Sequence, residues 1–151
     1  MNKITPFLWF NNNLAEAVTF YKSVFKNVNV ISPRLIEGKI YTATFEIEGQ
    51  RFMALDGGPH YTFNPAVSFF VNCKDQAEVD DLWNKLTADG GKESRCGWLI
   101  DKFGLSWQII PEDFSRFMAT TDLEKSQRVM QAMMKMNKLI VADLQAAYDG
   151  N

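Results

Sequence analysis

The spacing of apolar positions along this chain switches between two residues and three to four, and the switches mark its elements. Residues 4–10, Ile-Thr-Pro-Phe-Leu-Trp-Phe, predict a strand, with Pro6 at an edge or where no ladder donor is needed. Asn13 followed by Glu16 is a capping-box signature. Leu14, Ala17, Val18, Tyr21, Val24 and Phe25 then keep helical spacing to Lys26. Strand-like runs at 28–36, 40–48 and 51–56 follow, joined by hairpin turns at Glu37-Gly38-Lys39 and Glu48-Gly49-Gln50. Residues 57–65 are rich in breakers and predict a loop, so Gly57-Gly58 reads as a turn rather than a phosphate cradle.

The same order then repeats. Residues 66–72 predict a strand, and Asp75 with Glu78 a second capping box. Val79, Leu82, Trp83 and Leu86 give a second helix over about 75–89, stopped at Gly90-Gly91. Strands are expected near 92–96, 98–101 and 105–110. Gly49-Gln50-Arg51-Phe52-Met53 aligns with Gly104-Leu105-Ser106-Trp107-Gln108, so a duplicated strand–helix–strand–strand–strand unit is the economical reading. After Pro111 the chain turns helical. One helix is expected from about Asp122, with Leu123, Val129, Met130, Met133, Met134 and Met136 along it, and a last one ending at Gly150. That methionine stripe is expected to pack on the domain or on a second subunit.

Composition narrows the function classes. A length of 151 residues suits one domain with a real core. A formal charge of −2, without a dense Lys/Arg run, argues against a nucleic-acid partner. No apolar run is long enough for a membrane span, and the start of the chain lacks signal-peptide character. Two cysteines, Cys73 and Cys96, then suggest reduced thiols in a cytoplasm. Both are expected to be small packed residues rather than nucleophiles. The single histidine, His60, lies on the 57–65 loop and excludes a two-His metal site. Twelve Phe, four Trp and four Tyr are many rings for this length; most belong to the core, and some are candidates for a pocket.

The duplicated βαβββ unit resembles the vicinal-oxygen-chelate (glyoxalase/bleomycin-resistance/dioxygenase) superfamily. Residues 4–10, Cys96-Gly97-Trp98, Asp101-Lys102-Phe103-Gly104, Trp107-Gln108-Ile109-Ile110-Pro111 and the Met-rich tail resemble its PhnB-like branch, often labelled 3-demethylubiquinone-9 3-methyltransferase. The resemblance implies an α+β fold in which two βαβββ modules form curved mixed sheets around a cup, plus C-terminal helices. The duplicated domain would span 1–111, with modules at about 1–56 and 66–111, and 112–151 would be a helical extension of it. Catalytic members of the superfamily hold a divalent metal with His and Glu at positions that fall here on Thr5, Met53, Ala66 and Gln108. Those four offer a hydroxyl, a thioether, no donor and an amide, so no metal or other cofactor is expected. Methyl transfer finds no support, since no strand leads through a Gly-rich turn into a helix.

If Thr5 faces the cup, alternation puts Phe7, Trp9, Met53, Ser68, Phe70, Ser106 and Gln108 there too, as an aromatic surface with neutral hydrogen-bonding groups. Leu8 and Phe10 face the covering helix instead. Two function classes follow. One is a metal-independent binder of a small, partly hydrophobic or aromatic molecule; the other is an isomerase, lyase or transferase using the same residues. A homodimer is expected in either case, because Phe7, Trp9, Phe70 and the Met130/Met133/Met134 stripe would otherwise leave too much apolar surface uncovered.

Overall fold

In the computed structural model, which describes residues 2–151, the first apolar periods become β1 (Phe7–Phe10), α1 (Leu14–Val24), β2 (Val28–Ile36), β3 (Lys39–Ile47) and β4 (Gln50–Asp56). The strands form an open four-stranded sheet in the order β1-β4-β3-β2. β1 runs parallel to β4, and the other pairs are antiparallel. Leu8, Phe10, Phe45, Ile47, Phe52 and Ala54 point to one face and are buried, as are Leu14, Ala17, Val18 and Tyr21 of α1. Each large apolar side chain removed from water there contributes about 1.5–3 kcal/mol. Asn13 does not cap α1 through its side chain. Asp56 Oδ1, at the end of β4, accepts the Leu14 N–H at 2.9 Å instead, so a long-range carboxylate replaces the expected local cap.

The duplicate follows as β5 (Ser68–Cys73), α2 (Gln76–Leu86), β6 (Lys92–Glu93), β7 (Trp98–Ile100) and β8 (Ser106–Pro111). Its open sheet has the equivalent order β5-β8-β7-β6, again with one parallel pair, β5 with β8. The capping box of α2 is present: Asp75 Oδ1 accepts the Glu78 N–H at 2.9 Å, and Glu78 Oε2 accepts the Lys74 N–H at 2.7 Å. Among the described residues the architecture is thus α+β, with two mixed four-stranded sheets and five α-helices. Contacts divide the chain at Phe63/Asn64, and the helical tail belongs to the second unit.

That tail comprises α3 (Glu112–Met118), α4 (Leu123–Met133) and α5 (Val141–Asp149); α3 precedes the two helices that periodicity indicated. Phe117, Val129, Leu139 and Leu144 are buried against Ile110 of β8, with Met133, Met136 and Tyr148 packed around them. Met130 and Met134 stay exposed, so the methionine stripe divides between two faces of α4. Gln76 ties the tail to α2 by donating to the Leu139 carbonyl at 3.0 Å and accepting the Val141 N–H at 2.7 Å. The Lys138 ammonium lies 2.8 Å from Asp80 and, with the Gln76 amide, holds that carboxyl below its ordinary range. Gly97 donates to the Asn137 carbonyl at 2.8 Å with φ of +83°. A Cβ there would come within 2.8 Å of the Ile110 side chain, so glycine is needed for conformation and for space.

The Asp101-Lys102-Phe103-Gly104 turn joins β7 to β8 around a carboxylate that is only 2% exposed. Asp101 Oδ1 accepts the backbone N–H groups of Phe103 at 2.9 Å and Leu105 at 3.0 Å, and Oδ2 accepts the Trp107 indole N–H at 2.9 Å. Burying a carboxylate is tolerable when its lone pairs meet donors in this way. Replacing Asp101 with Ala strands three donors. The Asp101→Ala variant is expected to lose roughly 3 kcal/mol or more of unfolding free energy, read from its urea midpoint.

Candidate functional site

Register, rather than spacing along the chain, decides which residues share the face of each sheet turned away from α1 or α2. In the first unit Phe7 lies beside Met53 and Trp9 beside Leu55. Phe7 is 53% exposed and Met53 40%, far more than residues belonging to a core. Trp9 is half-buried, and its ring is held in place. Its indole N–H donates to the Gly58 carbonyl at 3.0 Å, and Tyr61 packs against it with ring centroids 5.1 Å apart. A Cβ on Gly57 would overlap the indole at 2.1 Å, which gives the Gly57-Gly58 turn its physical reason. Trp9 can therefore offer a ring surface but has already committed its donor. Thr5 borders a polar depression of about 260 Å³ that also includes Glu46, Gln50 and Arg51. The Arg51–Glu46 ion pair, at 2.9 Å, closes one side of it.

In the second unit Phe70 lies beside Gln108, and Ser68 beside Ser106. Gln108 Nε2 donates to Ser68 Oγ at 2.9 Å, crossing between the two rows. Phe70 is 57% exposed. Ser106 is 1% exposed, and its Oγ has no hydrogen-bond partner among the described residues. The other side of Gln108 is occupied by Trp98 of β7, which pairs with it directly and is half-buried. Alternation along a single strand does not bring Trp98 beside Gln108; the β7–β8 register does. The signal was present in the Trp98/Ile100 alternation across a four-residue turn, read against Gln108.

The registers also align the duplicates. Phe7 with Met53 corresponds to Phe70 with Gln108, so the counterpart of Thr5 is Ser68, two residues beyond Ala66. Ala66 lies before β5, its N–H bonded to Asn64 Oδ1 at 2.8 Å. A glyoxalase-type fold implies a divalent metal at these four positions. The side chains present, a threonine, a methionine, a serine and a glutamine, do not fit one: they supply no imidazole, thiolate or carboxylate. Among the described residues no group of three or more His, Cys, Asp or Glu could hold a metal ion.

Other candidate chemistry lies elsewhere. His60 is exposed on its loop with its ring 4.7 Å from that of Tyr61, and the nearby Asp56 carboxylate accepts the α1 N–H. Burial, reinforced by the Glu78 and Asp75 charges, pushes the Cys73 thiol up to about 12, which leaves it inert as a nucleophile. Cys96 is half-buried, at φ of +61°.

Comparison with known proteins agrees with this geometry. The family described as 3-demethylubiquinone-9 3-methyltransferase matches residues 2–110, ending before the helical tail. A putative 3-demethylubiquinone-9 3-methyltransferase, PhnB protein, from Bacillus cereus is 33% identical, with a TM-score of 0.67 over 73% of this chain and 99% of its own. Protein PA1353 from Pseudomonas aeruginosa is 25% identical, with a TM-score of 0.60 over 74% of this chain and 98% of its own. The fosfomycin resistance protein FosX from Listeria monocytogenes shares the fold at 13% identity, with a TM-score of 0.52 over 71% and 88%. No curated protein matches.

The donor set leads to a direct expectation. Protein dialysed against zinc or nickel, then freed of loose ions, should retain well under one equivalent by elemental analysis. Gln108→Ala should leave that value unchanged. Stoichiometric metal that disappears in the Gln108 variant would contradict the donor argument.

Proposed function

This chain belongs to the 3-demethylubiquinone-9 3-methyltransferase family, in the PhnB-like branch of the vicinal-oxygen-chelate superfamily, and from that premise we propose that it is a metal-independent binding protein. Its ligand is a small, partly hydrophobic or aromatic molecule, and the candidate contact residues are Phe7, Trp9 and Met53 on the first sheet, with Thr5 at the margin, and Ser68, Phe70, Ser106 and Gln108 on the second. The observation that carries this reading is the exposure of Phe7 and Phe70, at 53% and 57%, on strands whose opposite faces are packed. Rings left in water beside a neutral serine–glutamine pair suit a ligand that is mostly apolar with one or two polar atoms. The family label names methyl transfer, but the strand-to-helix turns here, Asn11–Asn13 and Lys74–Asp75, contain no glycine to let a nucleoside approach the backbone. The free thiols Cys73 and Cys96 are consistent with a cytoplasmic site of action.

Mass spectrometry of protein isolated from its native host tests the binding reading. One organic compound should co-purify in near-stoichiometric amount, and it should be lost from a Phe7→Ala/Phe70→Ala double variant. Protein that carries no compound, or one that the double variant retains, would end this reading.

We further propose a homodimer, supported by the exposed Phe7, Phe70, Met130 and Met134. Met133 packs into the tail core and is the wrong residue to probe it. Light scattering at micromolar concentration should give twice the chain mass. Met134→Glu should lower it if that face is part of the contact, and a mass of one chain for the unaltered protein would exclude the dimer.

A further inference from the structure

The second unit carries a more specific arrangement than an apolar face. On β5, β8 and β7 the paired residues Phe70, Gln108 and Trp98 form one row across the sheet, and Ser68, Ser106 and Ile100 the next. Neighbouring strands lie about 4.8 Å apart, so Phe70 and Trp98 rise from the sheet about 10 Å from each other on either side of Gln108. Stacked or edge-on aromatic pairs place their centroids about 4.5–7 Å apart, so one ring inserted between two others needs about 9–14 Å. The spacing of the two strands therefore matches a single planar ring lying between these walls.

The floor of this slot is polar but contains no ionisable group. Gln108 uses one N–H on Ser68 Oγ, which leaves its second N–H and the Ser68 hydroxyl proton to donate. Ser106 is almost wholly buried, so it forms part of the floor without presenting its hydroxyl to a ligand. The two donors on Gln108 and Ser68 outnumber the one amide oxygen of Gln108 that could accept, and so favour an oxygen on the ligand. None of the six residues in the two rows carries charge, and the nearest cation in register, Lys92, lies beyond Ile100 on the exposed edge strand. A carboxylate or phosphate would be desolvated there without a counter-charge.

We propose that Phe70 and Trp98 sandwich one uncharged planar ring bearing a carbonyl oxygen, which accepts hydrogen bonds from Gln108 and Ser68. This rests on the binding function proposed above and names the chemical class of its ligand. Trp98 becomes a specificity residue of that site, and an anionic or a saturated analogue is rejected.

The test uses three probes of one size: 2-acetylnaphthalene, its anionic counterpart 2-naphthoate, and the saturated 2-acetyldecalin. Each is titrated into the full chain while the Gln108 side-chain amide is followed by NMR. The ketone is expected to bind saturably, and at least about tenfold more tightly than either analogue. Phe70→Ala and Trp98→Ala should each weaken it about fivefold or more, whereas Trp98→Phe, which keeps a ring, should stay within about twofold. Because Phe70 is exposed, its truncation leaves the core intact and separates lost binding from lost folding. Naphthoate binding as tightly as the ketone, or a Trp98→Ala variant with unchanged affinity, would overturn the proposal. Ketone binding that responds to Phe7→Ala but not to Trp98→Ala would overturn the slot and leave the broader binding function standing. Failure of all three probes would also overturn the slot, while the co-purification experiment decides the broader reading on its own.

Discussion

The second unit depends on one buried carboxylate. Asp101 gathers two backbone N–H groups of its own turn and the indole N–H of Trp107, and these three bonds fix how β7 leads into β8. That turn sets the register in which Trp98 lies beside Gln108 and Leu99 beside Trp107. A slip of one residue would put Trp107 on the face turned away from α2 and Gln108 under α2. The Asp-x-Phe-Gly signature is thus a device for register. Its influence on function is indirect: it holds the candidate site's residues in one row.

The duplicated units solve the same local problem with different chemistry. At the end of β4, Asp56 caps α1 and the glycine turn after it seats the Trp9 indole. At the equivalent end of β8, Pro111 leads directly into α3, and the tail covers Ile110. The first unit therefore ends in an aromatic loop, with Tyr61 and His60 beside Trp9. The second unit ends in a second small core. Gln76 and Lys138 fasten that core to α2, so the tail is an integral layer of the unit.

Chemistry follows the same division. A glyoxalase-type sheet can hold a metal only if its four key positions carry donors of the right hardness. Here they carry two hydroxyls, a thioether and an amide. On the reading proposed above, what remains is a surface that would recognise by shape, ring stacking and neutral hydrogen bonds. Such a surface discriminates strongly where its buried polar groups would be left unpaired by the wrong ligand.

The sequence by itself determined the element order of the two duplicated units, the duplication and which residues of a strand share a face, because side chains alternate with a period of two along any strand. Leu8 and Phe10 against α1, with Phe7 outside, could be read that way without coordinates. The missing metal donors could also be read, since donor chemistry belongs to the residue type. Three matters rested on the tertiary structure, because each depends on partners distant in the chain. Asn13 loses its capping role to Asp56, forty-two residues along from Leu14. Met133 turns inward while Met130 and Met134 stay out, because the positions of α3 and α5 decide which side of α4 is covered. Ser68 rather than Ala66 matches Thr5, and Trp98 joins Gln108, because register is a property of paired strands and no single strand encodes it.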